Sequence, residues 1–301
     1  MIPAWVGITL FAALTQALRF MLQKQLVNAG LSATATTFAR FVFAAPIVVL
    51  IAWGYAMWTG QGPPGFSPAF WGYVVAGGVS QILATICVVA IFAYRNFAVG
   101  ITLKKTEVLQ SVLVGFLILG DTVSLLGLFA ILVGICGVLL LADPPEADGP
   151  WRQRILNRAV ALGLLSGFFF GLSGVSYRGA SLSLADGDTF YRASTAMAFV
   201  VVFQLISLAA WLHLREAGQI VAVFRAWRTV ALVGLTSMIG TLCWFSAFTL
   251  QSAGYVNAVG QVELLFSIAI GALVFGETVT KREWQGMALL SLSIIVLVLV
   301  V

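Results

Sequence analysis

LGDTVS at residues 119–124 and FGETVT at 275–280 are one six-residue step written twice, 156 residues apart. The same offset carries Ala84-Thr85-Ile86-Cys87 onto Gly240-Thr241-Leu242-Cys243, Glu107 onto Glu263, Ser111 onto Ser267 and Gly115 onto Gly271. At slightly shorter offsets Thr37-Phe38-Ala39-Arg40 falls on Thr189-Phe190-Tyr191-Arg192, and Lys24 on Arg178. Drift of two to four residues is what loop-length changes between two copies of a repeat produce. The chain is a duplication.

The duplicated unit is apolar. Of 301 residues 61% are hydrophobic and 9% charged, with a mean hydropathy of +1.04. A soluble domain of this length carries about a quarter of its residues as charges, so most of this surface faces hydrocarbon. A spanning helix needs about 20 mostly apolar residues. Ten such runs are present, at 4–27, 35–58, 69–94, 97–119, 123–142, 157–180, 188–213, 227–250, 254–275 and 282–301. The expected fold is therefore all-α and integral to the membrane, with ten transmembrane helices. Residues 59–68 form a Pro/Gly loop, and the longest polar stretch, 143–158, is the natural joint. This divides the chain into a first five-helix repeat over 1–143, a linker over 144–156 and a second repeat over 157–301. Five is odd, so the second copy enters the bilayer from the opposite face. Inverted repeats of this kind are a recurring construction of secondary transporters, which hold substrate near the midplane between the halves.

Several classes are excluded. The net charge of +5 comes from basic residues standing singly at helix ends, so no nucleic-acid partner is expected. Cys87, Cys136 and Cys243 lie in apolar segments without Cys-x-x-Cys spacing, and the single histidine, His213, closes a hydrophobic helix. Neither a disulfide framework nor a metal site is expected. No Walker or Gly-x-Gly-x-x-Gly pattern occurs, so no nucleotide cofactor is implied. Gly163, Gly167 and Gly171 form two Gly-x-x-x-Gly steps, which let a neighbouring helix approach closely. The apolar N-terminus lacks a basic lead-in and a cleavage pattern and reads as a first spanning helix.

The five-plus-five plan, Arg40 and Arg192 opening helices 2 and 7, and the Gly-acidic steps Gly120-Asp121 and Gly276-Glu277 after helices 4 and 9 resemble the drug/metabolite transporter superfamily, in its ten-helix EamA-type carriers. The resemblance spans the whole chain. It implies export of amino acids and other small metabolites across the bacterial inner membrane, with no enzyme chemistry. Many members carry a proline about fourteen residues before the Gly-acidic step; this chain has Glu107 and Glu263 there instead, which weakens any borrowed substrate.

Glu107 and Glu263 fall near the middle of a hydrocarbon layer about 30 Å thick. Intramembrane acids face the bundle interior or a wet cavity and find a partner, and burial favours their protonated form. Lys104, Glu107 and Ser111 share one helical face; the matching Gly260, Glu263 and Ser267 offer no base. Glu263 therefore needs a partner across the bundle, from Arg19, Lys24, Lys105 or Arg178. One reading makes Glu263 the site for a substrate ammonium group or a coupling proton, with Glu107 and Lys104 setting the field. The other makes it a buried ion pair locking helices 4 and 9. Lys105 and Gln261 occupy matching positions and are the next candidates, with Gln110 and Asn257 as further polar groups at membrane depth. Arg19 either meets a carboxylate substrate or snorkels to the interface. Among the dense aromatics of helices 6 and 8, Trp244 is the candidate cavity wall.

Basic residues are uneven about the connections. Eleven, including Lys24, Arg40, Arg95, Arg152 and Arg154, flank the odd-to-even connections, against Arg178 and Arg192 on the other side. The positive-inside rule then places both termini outside, whereas the resemblance implies termini inside. Export of amino acids by alternating access is the leading function. Proton-coupled efflux of lipophilic cations and a non-transporting receptor or structural role are the alternatives. The expected partners are a small-molecule substrate, a proton and the lipid bilayer, with the chain a monomer or weak homodimer.

Overall fold

The structure is a computed structural model that describes residues 3–62, 64–91, 104–105, 107–142, 158–275 and 280–300. Residues 97–103 of the fourth apolar run, most of the 143–158 joint, Arg95, Arg152, Arg154 and the Gly276-Glu277 step lie outside them. Among the described residues all regular structure is helical: α1 (Ala4–Asn28), α2 (Ala33–Val42), α3 (Ala44–Thr59), α4 (Pro68–Ile91), α5 (Glu107–Leu119), α6 (Leu125–Ala142), α7 (Arg158–Leu182), α8 (Thr189–Arg215), α9 (Gln219–Arg225), α10 (Trp227–Leu250), α11 (Ala253–Gly260), α12 (Glu263–Phe275) and α13 (Lys281–Val300). Six stretches are long and apolar enough to cross a bilayer: 4–28, 33–59, 68–91, 189–215, 227–250 and 253–270. Shorter apolar helices accompany them. The chain is a multi-pass membrane protein.

α2 and α3 form one bent rod. Pro46 has no N–H for the Val42 carbonyl and its ring crowds that oxygen, so the helix breaks at Phe43. Arg40 therefore lies two turns inside the rod, only 1% exposed, and does not open it. It belongs to the core, which removes it from the charges flanking connections.

Corresponding helices of the two halves pack against each other, and they run antiparallel. Ser32 at the start of α2 bonds Glu216 at the end of α8, while Tyr55 near the end of α3 bonds Asp188 at the start of α8. Val112 of α5 touches Gly254 of α11, and the preceding Lys104 reaches the later Glu263. Ser293 of α13 donates to the Ala130 carbonyl of α6 at 2.6 Å, and Gly137 lies against Gly286 and Leu290. The remaining contacts obey the same exchange. α4 packs along α7 as α10 packs along α1.

Asp188 shows how local chemistry fixes these joints. Its Oδ1 caps α8 by accepting from the Tyr191 amide at 2.9 Å, and its Oδ2 accepts from Tyr55 and Gln61. Burial pushes its carboxyl up, but the Tyr191 amide and the Tyr55 and Gln61 side chains outweigh it and hold the group below the ordinary 3.8. The carboxylate's contribution is thus complete above that value and is lost as pH falls through the lowered one. Asp188→Ala is expected to cost about 1 kcal/mol in detergent unfolding at neutral pH, with the difference from wild type vanishing in strong acid.

Candidate functional site

The two glutamates each open a helix. α5 begins at Glu107 and α12 at Glu263, so both carboxylates sit at a helix N-terminus, where exposed amide dipoles favour negative charge. Before Glu263 the rod is broken at Gln261-Val262, where Gln261, Val262 and Leu264 donate to carbonyls only three residues back. These tight bonds mark an interruption of the α-helix. Lys105 lies in a turn at the matching place, with Val108 likewise bonded three residues back.

The two breaks meet. Glu263 Oε2 accepts from Lys105 Nζ at 2.6 Å, Lys104 Nζ at 2.9 Å and Gln16 Nε2 at 3.0 Å. Lys104 Nζ also stands 3.9 Å from Glu107 Oε1 and lies over the rings of Phe20 and Phe170. Lys104 is thus the basic neighbour of Glu107 that the helical spacing predicts, and it also reaches the nearer Glu263, because the antiparallel crossing of the breaks brings α12 onto the lysines. From Glu263 a hydrogen-bond chain continues through Gln16 to Arg19, then Gln23, then the Thr36 carbonyl. Arg19 is 2% exposed and does not snorkel.

A narrow cavity of about 30 Å³ adjoins the cluster, room for roughly two waters. Its polar wall comprises Gln16, Gln81, Lys104, Glu107, Thr241 and Asn257, and its aromatic wall Phe170, Tyr177, Trp244 and Phe248. Trp244 stacks on Phe248 with centroids 5.7 Å apart, and its indole rests on Gly260, where a Cβ would come within 2.4 Å. The Trp244 Nε1 and the Asn257 Nδ2 are buried without partners among the described residues. Lys105, Gln261, Gln110 and Arg19 stand outside the lining, with the Gln261 and Gln110 carbonyl oxygens also unpartnered.

Arg178, one of the expected partners of Glu263, goes elsewhere. It forms a 3.1 Å ion pair with Asp121 and donates to the Phe248 carbonyl. The Gly-acidic step makes this possible. Gly120 takes a left-handed φ of 68°, ending α5 with the Asp121 amide bonded back to the Gly115 carbonyl. This is a helix stop that favours glycine, and it aims the acid at α7.

The sequence profile of the EamA-like transporter family matches twice, over residues 3–142 and 157–299. The chain belongs to the EamA-like transporter family. It is thus a membrane transporter of the drug/metabolite superfamily. No curated protein matches the sequence significantly. A solved structure described only as "Crystal structure of protein" is similar over 98% of this EamA-like chain and 96% of its own, with a TM-score of 0.69 and 11% identity. That likeness speaks to the fold alone.

Gln16, Gln23, Gln81 and Tyr177 were not singled out by sequence reasoning. Gln16, Arg19 and Gln23 stand at i, i+3 and i+7, a polar stripe on an apolar helix that periodicity alone exposes. Gln81 with Thr85, and Tyr177 with Ser173 and Ser181, are likewise spaced by four on apolar helices, a weaker stripe of the same kind.

Proposed function

We propose that this EamA-like protein is a secondary transporter of the bacterial inner membrane that exports small metabolites, amino acids first, by alternating access. In this reading two inverted five-helix repeats cross the bilayer ten times and rock about the broken helices. The observation that carries it is the crossing of the two breaks, with Glu263 of one half held between Lys104 and Lys105 of the other beside a cavity. Interrupted helices meeting near the midplane are where secondary transporters bind cargo and coupling ions. The antiparallel packing of corresponding helices is what an inverted repeat requires.

The walls select an amphipathic cargo. Lys104 offers an ammonium to a carboxylate, Asn257 and Trp244 offer N–H groups that have no partner among the described residues, and the stacked indole and phenyl rings receive an apolar body. At about 30 Å³ the cavity excludes an amino acid until the halves move apart, and that movement strains the bridging ion pairs. Glu263, accepting from two ammonium groups, acts as their counter-ion. The coupling proton falls instead to Glu107, which lines the cavity with its nearest cation 3.9 Å away. Efflux of lipophilic cations finds less support, because the lysines occupy the carboxylate such a drug would need.

The test is counterflow in proteoliposomes across amino acids, nucleosides and cationic dyes at two pH values. Exchange of amino acids bearing an apolar side chain, faster across a proton gradient and insensitive to the gradient in Glu107→Gln, is the expected result. Absence of exchange for every class would remove the carrier reading, and exchange of dyes alone would replace it with cation efflux.

A further inference from the structure

Six charged side chains are buried to below a tenth exposure among the described residues: Arg19, Arg40, Lys104, Lys105, Glu107 and Glu263. Four are cations and two are acids, a formal excess of two positive charges. The lysines and glutamates account for one another. The arginines do not. Arg19 donates to Gln23 Oε1 at 2.8 Å and Gln16 Oε1 at 3.3 Å. Arg40 donates to Thr85 Oγ1 at 2.7 Å and Ser237 Oγ at 3.1 Å. All four acceptors are neutral, and no carboxylate among the described residues lies within ion-pair distance of either guanidinium.

The two arginines are neighbours. Gln23, which accepts from Arg19, donates to the Thr36 carbonyl one turn before Arg40, and the two guanidiniums lie within electrostatic reach of each other. Like charges so placed repel; the nearest acid on their side is Glu263, reached from Arg19 only through Gln16 and already holding two lysines. The hydroxyl of Thr36, one turn before Arg40 on α2, is buried with no partner among the described residues. A fold that keeps two cations and an idle hydroxyl together in an apolar bundle has left room in its charge balance for an anion.

We propose that Arg19 and Arg40, with the hydroxyls of Thr36, Thr85 and Ser237, form a binding site for a small monovalent anion, either free halide or the carboxylate of the cargo. The site adjoins the cavity. Gln16, which accepts from Arg19, lines the cavity, and Gln81 and Thr241 of the cavity wall stand one turn from Thr85 and Ser237 on α4 and α10. Among the described residues there is one such site. Thr85 matches Thr241 and Gln81 matches Ser237 across the repeat, but Arg192, the counterpart of Arg40, lies near the surface and donates to the Ala185 carbonyl. The binding step stands without transport; only the carboxylate as its source rests on the carrier reading.

The experiment measures the unfolding temperature of the full chain in detergent. Chloride and benzoate are titrated separately against a bulky sulfonate salt at fixed ionic strength. A rise with the logarithm of anion concentration is expected for wild type, as for any ligand that binds only the folded state. Arg40→Gln and Arg19→Gln should flatten it, and Arg192→Gln should leave it unchanged. Thr85→Val, which removes a hydroxyl at constant shape, should shift the curve to several-fold higher anion concentration and serves where an arginine variant does not fold. Competition between benzoate and chloride identifies the cargo carboxylate; a response to chloride alone identifies free halide. A flat wild-type response to both anions, or equal loss in Arg192→Gln, overturns the site. Failed counterflow with a preserved anion response would remove the carrier reading and leave this site standing.

Discussion

Glu263→Gln is expected to destabilise the protein by about 3–5 kcal/mol and to abolish exchange. The substitution removes the single negative charge that accepts from Lys104 at 2.9 Å and Lys105 at 2.6 Å, in a side chain with no solvent exposure. Two ammonium groups are then left in a bundle surrounded by hydrocarbon. Removal of one partner is the costly way to break a buried ion pair; replacement of all partners by apolar residues of similar size is often neutral or stabilising. A triple variant with leucine at 104, 105 and 263, made on a Glu107→Gln background so that no buried acid is left without its cation, therefore separates the two readings of the cluster. Thermal unfolding in detergent should return to near the wild-type midpoint. Counterflow should stay absent, because the ammonium that receives the cargo is gone. Exchange at the wild-type rate in the triple variant would reduce the cluster to a lock between helices and place the cargo elsewhere.

How far this cluster was legible in the sequence depends on which interaction is asked for. The correspondence of Glu107 with Glu263 follows from the offset set by LGDTVS and FGETVT. An acid at membrane depth must find a partner, so a base near Glu263 was required. Lys105, one of the four bases the sequence offered, is its closest partner at 2.6 Å; that Lys104 joins it was not readable. Lys104 sits at i−3 from Glu107, and local spacing assigns it there, but Glu263 is 159 residues away and wins by an ångström. That preference is set by the antiparallel crossing of two breaks, which the sequence shows as polar residues in apolar runs but not as interruptions of a helix. Neither Lys104-Lys105 nor Gln261-Val262 contains the proline that punctuates α2 and α3 at Pro46.

Arg40 illustrates a different limit. As part of a Thr-Phe-Ala-Arg match it served to align the halves, and a basic residue near the start of an apolar run reads as a helix opener. The structure begins α2 at Ala33, capped by Ser32 through the Ala35 amide, so Arg40 is carried two turns into the core. The apolar run read from the sequence already began at 35, so Arg40 lay inside it; what the sequence did not show is that α2 and α3 bury that part of the run between neighbouring helices. The Gly-acidic step was legible as an identity marker and opaque as geometry. Its glycine supplies a left-handed stop and its acid an ion pair with Arg178, a residue that repeat matching had already set against Lys24.

Gly171→Val is expected to cost about 1–3 kcal/mol through overpacking and to lower exchange by more than that loss explains. A Cβ at Gly171 would stand 3.1 Å from the Ser111 amide nitrogen and 3.2 Å from the Glu107 carbonyl oxygen. Both are main-chain atoms of the first turn of α5 and cannot rotate away. α5 must shift against α7, and the shift carries Glu107 and drags on Lys104, the two ionisable groups of the cavity wall. Gly171→Ala imposes the same displacement by a few tenths of an ångström and should fall between. Gly7→Ala is the control: a Cβ there meets nothing within 4 Å on α1, so the helix gains roughly 0.5–1 kcal/mol and exchange stays as in wild type. The decisive comparison is exchange rate against unfolding midpoint across the three variants. If Gly171→Val keeps full exchange at a lowered midpoint, the position of Glu107 does not govern transport, and the coupling role assigned to it falls.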